Sequence, residues 1–184
     1  MNAGSPMEIR FVDATEAESY REALVELLRD AVDGGASVGF LPPLEESEAR
    51  AYWEGVREDL VAGRRSLALA WVEGRVAGTA QLVEAGKANA RHRAEVSRVL
   101  VHSAFRRRGL GAALMRAVEA RAREQGKRTL VLDTREGDSA ERLYQSLGWI
   151  RVGVIPEYAR NGAGTLDGTA VYYKLLGADF RSAR

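Results

Sequence analysis

The segment from Glu95 to Met115, "EVSRVLVHSAFRRRGLGAALM", runs from a β-branched apolar stretch through three arginines and two glycines into apolar residues at helical spacing. A strand that feeds a glycine turn and then an amphipathic helix restricts the fold sharply, because the helix must return to cover the sheet that holds the strand. The junction also has a chemistry of its own. The first N–H groups of a helix lack intrahelical acceptors and carry the positive end of its dipole, so they attract anions. Gly109 and Gly111 let an anion approach the backbone closely, Arg106, Arg107 and Arg108 add charge beside it, and the helix begins near Leu110. The combination suits a pyrophosphate.

The flanking sequence supplies the rest of an α/β chain. "EIRFVD" (Glu8 to Asp13) alternates as a strand, and Asp13 or Thr15 is placed to cap one helical stretch through Asp33 with Leu24, Leu27, Leu28 and Ala31 on its apolar face. "GGASVGFLPPL" breaks that pattern, and its position suits the wall of a substrate pocket; a second helix follows from about Glu45 to Val61. "SLALAWVE" and "RVAGTAQLVE" read as strands paired about Gly74, and "RAEVSRVLVH" as a third. After the arginine loop, Leu110, Ala113, Leu114, Ala117, Val118 and Ala122 mark a helix that Gln125 and Gly126 end. "RTLVLDT" is a buried strand, "SAERLYQSLGW" a helix begun by Asp138 or Ser139 and ended by Gly148, and "IRVGVI" and "TAVYYKLL" are the last two strands. The expectation is one domain over residues 7–176, with tails at 1–6 and 177–184, built on a mixed sheet covered by helices.

Composition removes several function classes. Lys and Arg number 27 against 26 for Asp and Glu, so the net charge of +1 creates no field that would draw nucleic acid or an anionic membrane. The arginine triplet therefore acts locally, and no basic face with interleaved aromatics accompanies it. With no cysteine there is no disulfide, thiolate metal site or cysteine nucleophile, which fits a reducing, cytoplasmic setting. His92 and His102 are too few for a metal cluster and are expected at the surface, while Trp53, Trp71 and Trp149 are expected in the core or a pocket wall. "MNAGSPM" lacks the apolar run of a signal or span. Symmetric dimers being common, a homodimer is the assembly to look for.

Three phosphate-binding loops compete for the junction. A Walker loop is excluded, because no Lys-Ser or Lys-Thr follows the second glycine. A dinucleotide fingerprint could begin at Gly109 and Gly111, with Asp133 at about the ~20-residue distance of its ribose acid, but its third glycine would fall at Leu114. The third candidate is the cofactor loop of the Gcn5-related N-acetyltransferase (GNAT) family: Gln or Arg, two variable residues, Gly, one variable residue, then Gly or Ala. Arg106-Arg107-Arg108-Gly109-Leu110-Gly111 resembles it, preceded by the strand "VSRVLVH" and followed by "AERLYQSLGW", which is similar to the family's second cofactor motif. In element order the resemblance runs from about Glu8 to Leu176; its specific motifs occupy Glu95 to Gly148.

The resemblance implies a mixed, mostly antiparallel α/β sheet with helices on both faces, splayed where acetyl-CoA binds. It places backbone groups of Val99 and Val101 against the pantetheine arm and the loop Arg106, Arg107, Arg108, Gly109, Leu110, Gly111 and Ala112 around the pyrophosphate. Many relatives carry Asn where this chain has Gly137, seven residues before Tyr144, so Asp138 or Ser139 would have to supply that contact. The implied reaction is acetyl transfer by direct attack of a neutral amine on the thioester, with no metal. Tyr144 matches the tyrosine that protonates the departing sulfur; its spacing with Ala140, Leu143 and Leu147 is equally that of a core stripe. Glu95, eleven residues ahead of Arg106, matches the strand glutamate that deprotonates the amine in the histone-acetylating branch. Alternation would put it on one face with Ser97, Val99 and Val101, and the arginines of "RHRAE" would equally make it a solvated, paired charge.

The acceptor region carries no comparable motif. "WIRVGVIPEYARNGAGTLDGTAVYYKLL" looks like the branch that contains tabtoxin-resistance acetyltransferases, which implies a small-molecule amine. Glu157, Tyr158 and Asp167 are expected in a glycine-rich loop able to attract a cation. The alternatives are a protein N-terminal or lysine acetyltransferase and a non-catalytic acyl-CoA sensor.

Overall fold

The apolar runs assemble as β1 (Met7–Val12), α1 (Ala14–Ser19), α2 (Arg21–Asp33), α3 (Glu46–Val61), β2 (Arg65–Val72), β3 (Arg75–Glu84), β4 (Arg93–Val101), α4 (Leu110–Glu124), β5 (Thr129–Arg135), α5 (Ser139–Ser146), β6 (Ile150–Arg160) and β7 (Leu166–Leu175) in a computed structural model. The structure describes residues 7–177; the expected tails lie outside these, Gly177 excepted. The strands form one seven-stranded sheet in the order β1-β2-β3-β4-β5-β7-β6. Every neighbouring pair is antiparallel except β4 and β5, which run parallel.

Helices cover both faces. Leu24, Leu27 and Leu28 of α2 and Trp53 of α3 are buried with Leu67, Leu69 and Trp71 of β2 in one cluster. Leu110, Leu114, Met115 and Val118 of α4 pack with Ala80, Leu82, Leu130 and Tyr172 in the other. Each fully buried leucine contributes roughly 1.5–3 kcal/mol, so the two stripes hold the layers together. All three tryptophans are buried. Asp13 caps α1 through the N–H of Glu16, and Asp138 caps α5 through that of Ala140.

Three details depart from the sequence reading. The first helical stretch breaks at Tyr20, whose ring lies edge-on to Trp71 at 5.4 Å, giving α1 and α2. β6 extends to Arg160 through a bulge holding Pro156, Glu157 and Tyr158, so Glu157 and Tyr158 lie on an exposed strand rather than in the glycine-rich loop, and Asp167 lies on β7. His102 is less exposed than expected: its side chain is 15% exposed, and Nδ1 accepts from the N–H of Ala104 to cap a turn after β4.

Glu119 of α4 is the buried charge on the α4 face. It accepts from Trp149 Nε1 at 2.9 Å and from Lys174 Nζ at 2.7 Å, tying α4 to the start of β6 and to β7. Removing one partner of such a pair leaves the other uncompensated. Glu119→Ala should therefore destabilise the fold by roughly 3–5 kcal/mol, read as a lowered urea midpoint with an unchanged slope. A loss under 1 kcal/mol would show Lys174 relaxing to solvent.

Candidate active site

The β4–β5 ladder pairs Arg93 with Thr129, Ala94 with Leu130 and Glu95 with Val131, then stops. From Val96 onward β4 stays bonded to β3 while its other edge faces a widening cleft. Such an edge offers N–H and C=O groups to any extended ligand that can lie along it. A bulge sharpens the divergence. Thr79 pairs with Leu100 but Gln81 pairs with Ser97, so β4 carries one residue more than β3 there, with Arg98 at φ 50°. The extra residue reverses the alternation. Ser97 shares the α3 face with Gln81, to which Tyr52 of α3 donates at 2.9 Å, whereas Val99 and Val101 pack against the α4 cluster. Glu95, two residues before Ser97, thus lies on the opposite face from Val99 and Val101, which corrects the shared face expected from unbroken alternation.

The arginine–glycine loop closes one end of the cleft. Arg107 at φ 63° and Gly109 at φ 83° adopt left-handed backbone, curling the loop into a concavity of the kind that binds anions. No side chain caps α4, whose first backbone bond runs from Ala113 N–H to Gly109 C=O. The N–H groups ahead of Ala113 are therefore left to a ligand. A Cβ on Gly111 would sit 3.1 Å from Leu143 Cδ2, so glycine there lets α5 press close to the loop.

A cavity of about 670 Å³ joins these parts. Val99 and Val101 line it from β4, Arg106, Arg107, Gly109, Leu110, Gly111 and Ala112 from the loop and α4, and Tyr144 from α5. Arg108 stands apart: its guanidinium lies over the Phe105 ring at 5.5 Å and 3.9 Å from Glu73. Arg106 donates to the Val101 carbonyl at 3.3 Å, bracing the loop against β4. Gly137, Asp138 and Ser139 line the cavity as well, with Asp138 Oδ1 occupied by the Ala140 N–H. The Ser139 hydroxyl donates to the same Asp138 oxygen at 3.3 Å.

Tyr144 proves to be both core and cavity wall. It is 7% exposed, packed on Tyr172 at 5.9 Å and Trp149 at 6.3 Å between ring centroids. Burial pushes its pKa well above the ordinary phenol value, and Asp138, Asp133 and Tyr172 add to the rise, so the hydroxyl holds its proton. Glu95 stands at the last rung of the β4–β5 ladder and lines neither this cavity nor the one below. Its carboxyl keeps contact with solvent, yet partial burial lifts its pKa, helped by Asp133 and opposed by Arg98, Arg65 and Arg93.

A second cavity of about 250 Å³ adjoins the first, with Gly35, Ala36 and Arg135 as shared wall. The "GGASVGFLPPL" loop forms one side and Ala159 to Gly162 the other. Neither Glu157, Tyr158 nor Asp167 lines it; Asp167 is held by Asn161 at 3.0 Å and faces Arg135 at 3.9 Å. Its charged wall is basic, from Arg135 and Arg160. Neither arginine stood out in the sequence, because each closes a strand as solvent-facing charges commonly do.

Residues 24–149 match the Acetyltransferase (GNAT) family. This chain belongs to the GNAT family. An uncharacterized N-acetyltransferase of the hisH–hisA intergenic region of Azospirillum brasilense is 36% identical over 115 residues, 61% of this chain and 67% of that one. Among solved structures, yncA of Salmonella typhimurium, determined with its cofactor acetyl-CoA, is similar with a TM-score of 0.78 at 24% identity, covering 97% of this chain and 98% of that one. A ribosomal-protein-alanine N-acetyltransferase from Brucella melitensis is similar with a TM-score of 0.75 at 23% identity, over 91% of this chain and 99% of that one. Both structural likenesses speak to the GNAT fold alone. They do not single out the tabtoxin-resistance branch.

The raised pKa of Glu95 has a consequence for stability. Its ionisation in the fold is penalised, so the stabilisation it contributes at low pH is lost as pH rises through its folded pKa. Glu95→Gln should therefore be more stable than the parent at pH 7–8, with the difference vanishing below about pH 4, the ordinary carboxylate range. Urea melts at both pH values measure this, and a variant less stable at pH 8 would assign Glu95 a stabilising ion pair instead.

Proposed function

We propose that this protein transfers the acetyl group of acetyl-CoA to the primary amine of a small molecule. One observation carries the reading: the open edge of β4, the uncapped start of α4 and the Tyr144 side chain meet in a single cavity. These residues fit acetyl-CoA. The Arg106 to Ala112 loop would hold the pyrophosphate through its N–H groups, and the backbone of Val99 and Val101 would pair with the pantetheine amides. When bound, acetyl-CoA supplies a thioester carbonyl open to attack by an amine. Tyr144 gives its proton to the departing sulfur, and its raised pKa keeps that proton in place until charge develops. Glu95 lines neither cavity, so water takes the amine proton first, and the Glu95 carboxylate at the last rung of the β4–β5 ladder is the group beyond it that receives the proton.

A protein acceptor, as named for the Brucella melitensis neighbour, is the second reading. Against it, a Cβ on Gly162 would lie 2.7 Å from Pro42 Cγ, so the loops beside the smaller cavity touch and narrow the way in for a polypeptide. A cytoplasmic setting belongs to this proposal, as does a homodimer formed through edge strand β6, where Ile150, Val152 and Ile155 are exposed. Nucleic acid and membranes play no part in it, and among the described residues no helix is long and apolar enough to cross a membrane.

Acetyl-CoA should raise the melting temperature and NAD should not, because only a ligand of the native cleft stabilises it by linkage. Gly111→Asp should abolish that shift, since a carboxylate at the anion site adds repulsion; Arg107→Ala should weaken binding less than about tenfold, because the backbone does most of the holding. Thiol detection of released CoA over amino acids, polyamines, aminoglycosides and peptides tests turnover. Binding without release from any of them would make the protein a sensor. Tyr144→Phe should keep the acetyl-CoA affinity and lower kcat by roughly 10²-fold or more. An intact kcat would move the proton source to solvent.

A further inference from the structure

The smaller cavity has a charge pattern that a simple amine does not match. Val32, Phe40, Leu41 and Pro42 give it apolar walls, while its charged lining residues, Arg135 and Arg160, are both cationic. Arg135 is partly compensated by Asp138 at 3.4 Å and Asp167 at 3.9 Å. Arg160 donates to the Gly164 carbonyl, and among the described residues no carboxylate lies within ion-pairing distance of it. A third guanidinium stands behind the wall: Arg98 Nη2 would be 3.3 Å from a Cβ on Gly39, and its buried Nε has no hydrogen-bond partner. An alkylammonium entering this space meets like charge. A molecule bearing both an amine and an anion meets a partner.

Resting on the acetyltransferase reading, we propose that the acceptor is a small amine that also carries a carboxylate, an amino acid with an apolar side chain, and that Arg160, seconded by Arg135, receives the carboxylate. The placement follows from the shared wall: Arg135, Gly35 and Ala36 border both cavities, so an anion held on the Arg160 side leaves the amine end of the molecule free to face the acetyl-donor cleft. The apolar walls take the side chain. The volume of about 250 Å³ is enough for a single amino acid. Arg160 is exposed, so changing it leaves the packing of the sheet intact.

The test compares L-leucine, L-methionine and L-phenylalanine with their amides and with the amines left by decarboxylation, reading kcat/KM from CoA release. The amides keep shape, lose the charge and have less basic amines, so an advantage of the acids over them must come from recognition. The acids should lead by at least about tenfold, the order of one charge-assisted pair. In Arg160→Ala that lead should shrink toward unity, and in Arg160→Glu the amines without a carboxylate should overtake, while acetyl-CoA raises the melting temperature of all three proteins alike. Calorimetric titration of the same acids into CoA-saturated protein gives a readout without turnover and should show the same loss in Arg160→Ala. Amides or amines preferred by the parent protein, or a lead for the acids that survives both Arg160 changes, would overturn the proposal. So would failure of every compound to bind or react while acetyl-CoA still stabilises the fold; if acetyl-CoA itself has no effect, the acetyltransferase reading falls first.

Discussion

The cleft depends on one backbone constraint: β4 must lie inside the sheet and yet leave one of its edges unpaired. An open edge in the middle of a sheet is unfavourable unless water or a ligand satisfies it. Here the parallel ladder to β5 lasts three rungs, and the bulge at Arg98 bends β4 away as it ends. The position of α4 follows, since its first turn is fixed by the loop that β4 delivers and by the close approach of α5 at Gly111. Asp30 fastens the same corner from the other face, taking the N–H of Ser103 at 2.8 Å and its hydroxyl at 2.6 Å. Burial works against that carboxylate, and the Ser103 bonds outweigh it to hold its pKa below the ordinary value.

Much of this was legible because it is local. The helical spacing from Leu110, the glycines that need left-handed backbone and the caps at Asp13 and Asp138 are read within one or two turns, and the cofactor motif is a run of adjacent residues. The face of Glu95 was not legible by the same means. Alternation assumes a constant period of two, and one inserted residue reverses every side chain beyond it. The hint was Arg98, a charge at the centre of an apolar strand, which an unbroken strand would have buried without a partner.

The smaller cavity was illegible for a different reason. Its walls come from residues 32–42, Arg135 and residues 159–162, and nothing in any one segment announces the others. The sequence reading ended the strand after Trp149 at Ile155, yet Pro156 sits in a bulge and β6 resumes to bring Arg160 to the cavity. The acidic residues noticed in sequence turned out to be spent elsewhere, Asp167 on Asn161 and Arg135. Sequence proximity pointed to a cation site. The fold instead gives one cavity a basic wall, built from segments at residues 32–42 and 159–162 that lie more than a hundred residues apart.

Tyr144 is at once a packed core residue and the proton donor that we propose. A phenol of raised pKa is a weaker acid, which looks ill suited to protonating a thiolate, since the reference values are about 10 for tyrosine and about 8.5 for a cysteine thiol. Burial, however, acts on both partners. A sulfur leaving beside Tyr144 would develop its charge in the same poorly solvated space, and the neighbouring Asp133 and Asp138 that discourage a phenolate discourage a thiolate as well. The basicity of the departing sulfur would therefore rise with that of the phenol, so burial of both does not widen the gap that burial of the phenol alone would open. Tyr172 and Trp149, which hold the ring in place, are then part of what matches the two.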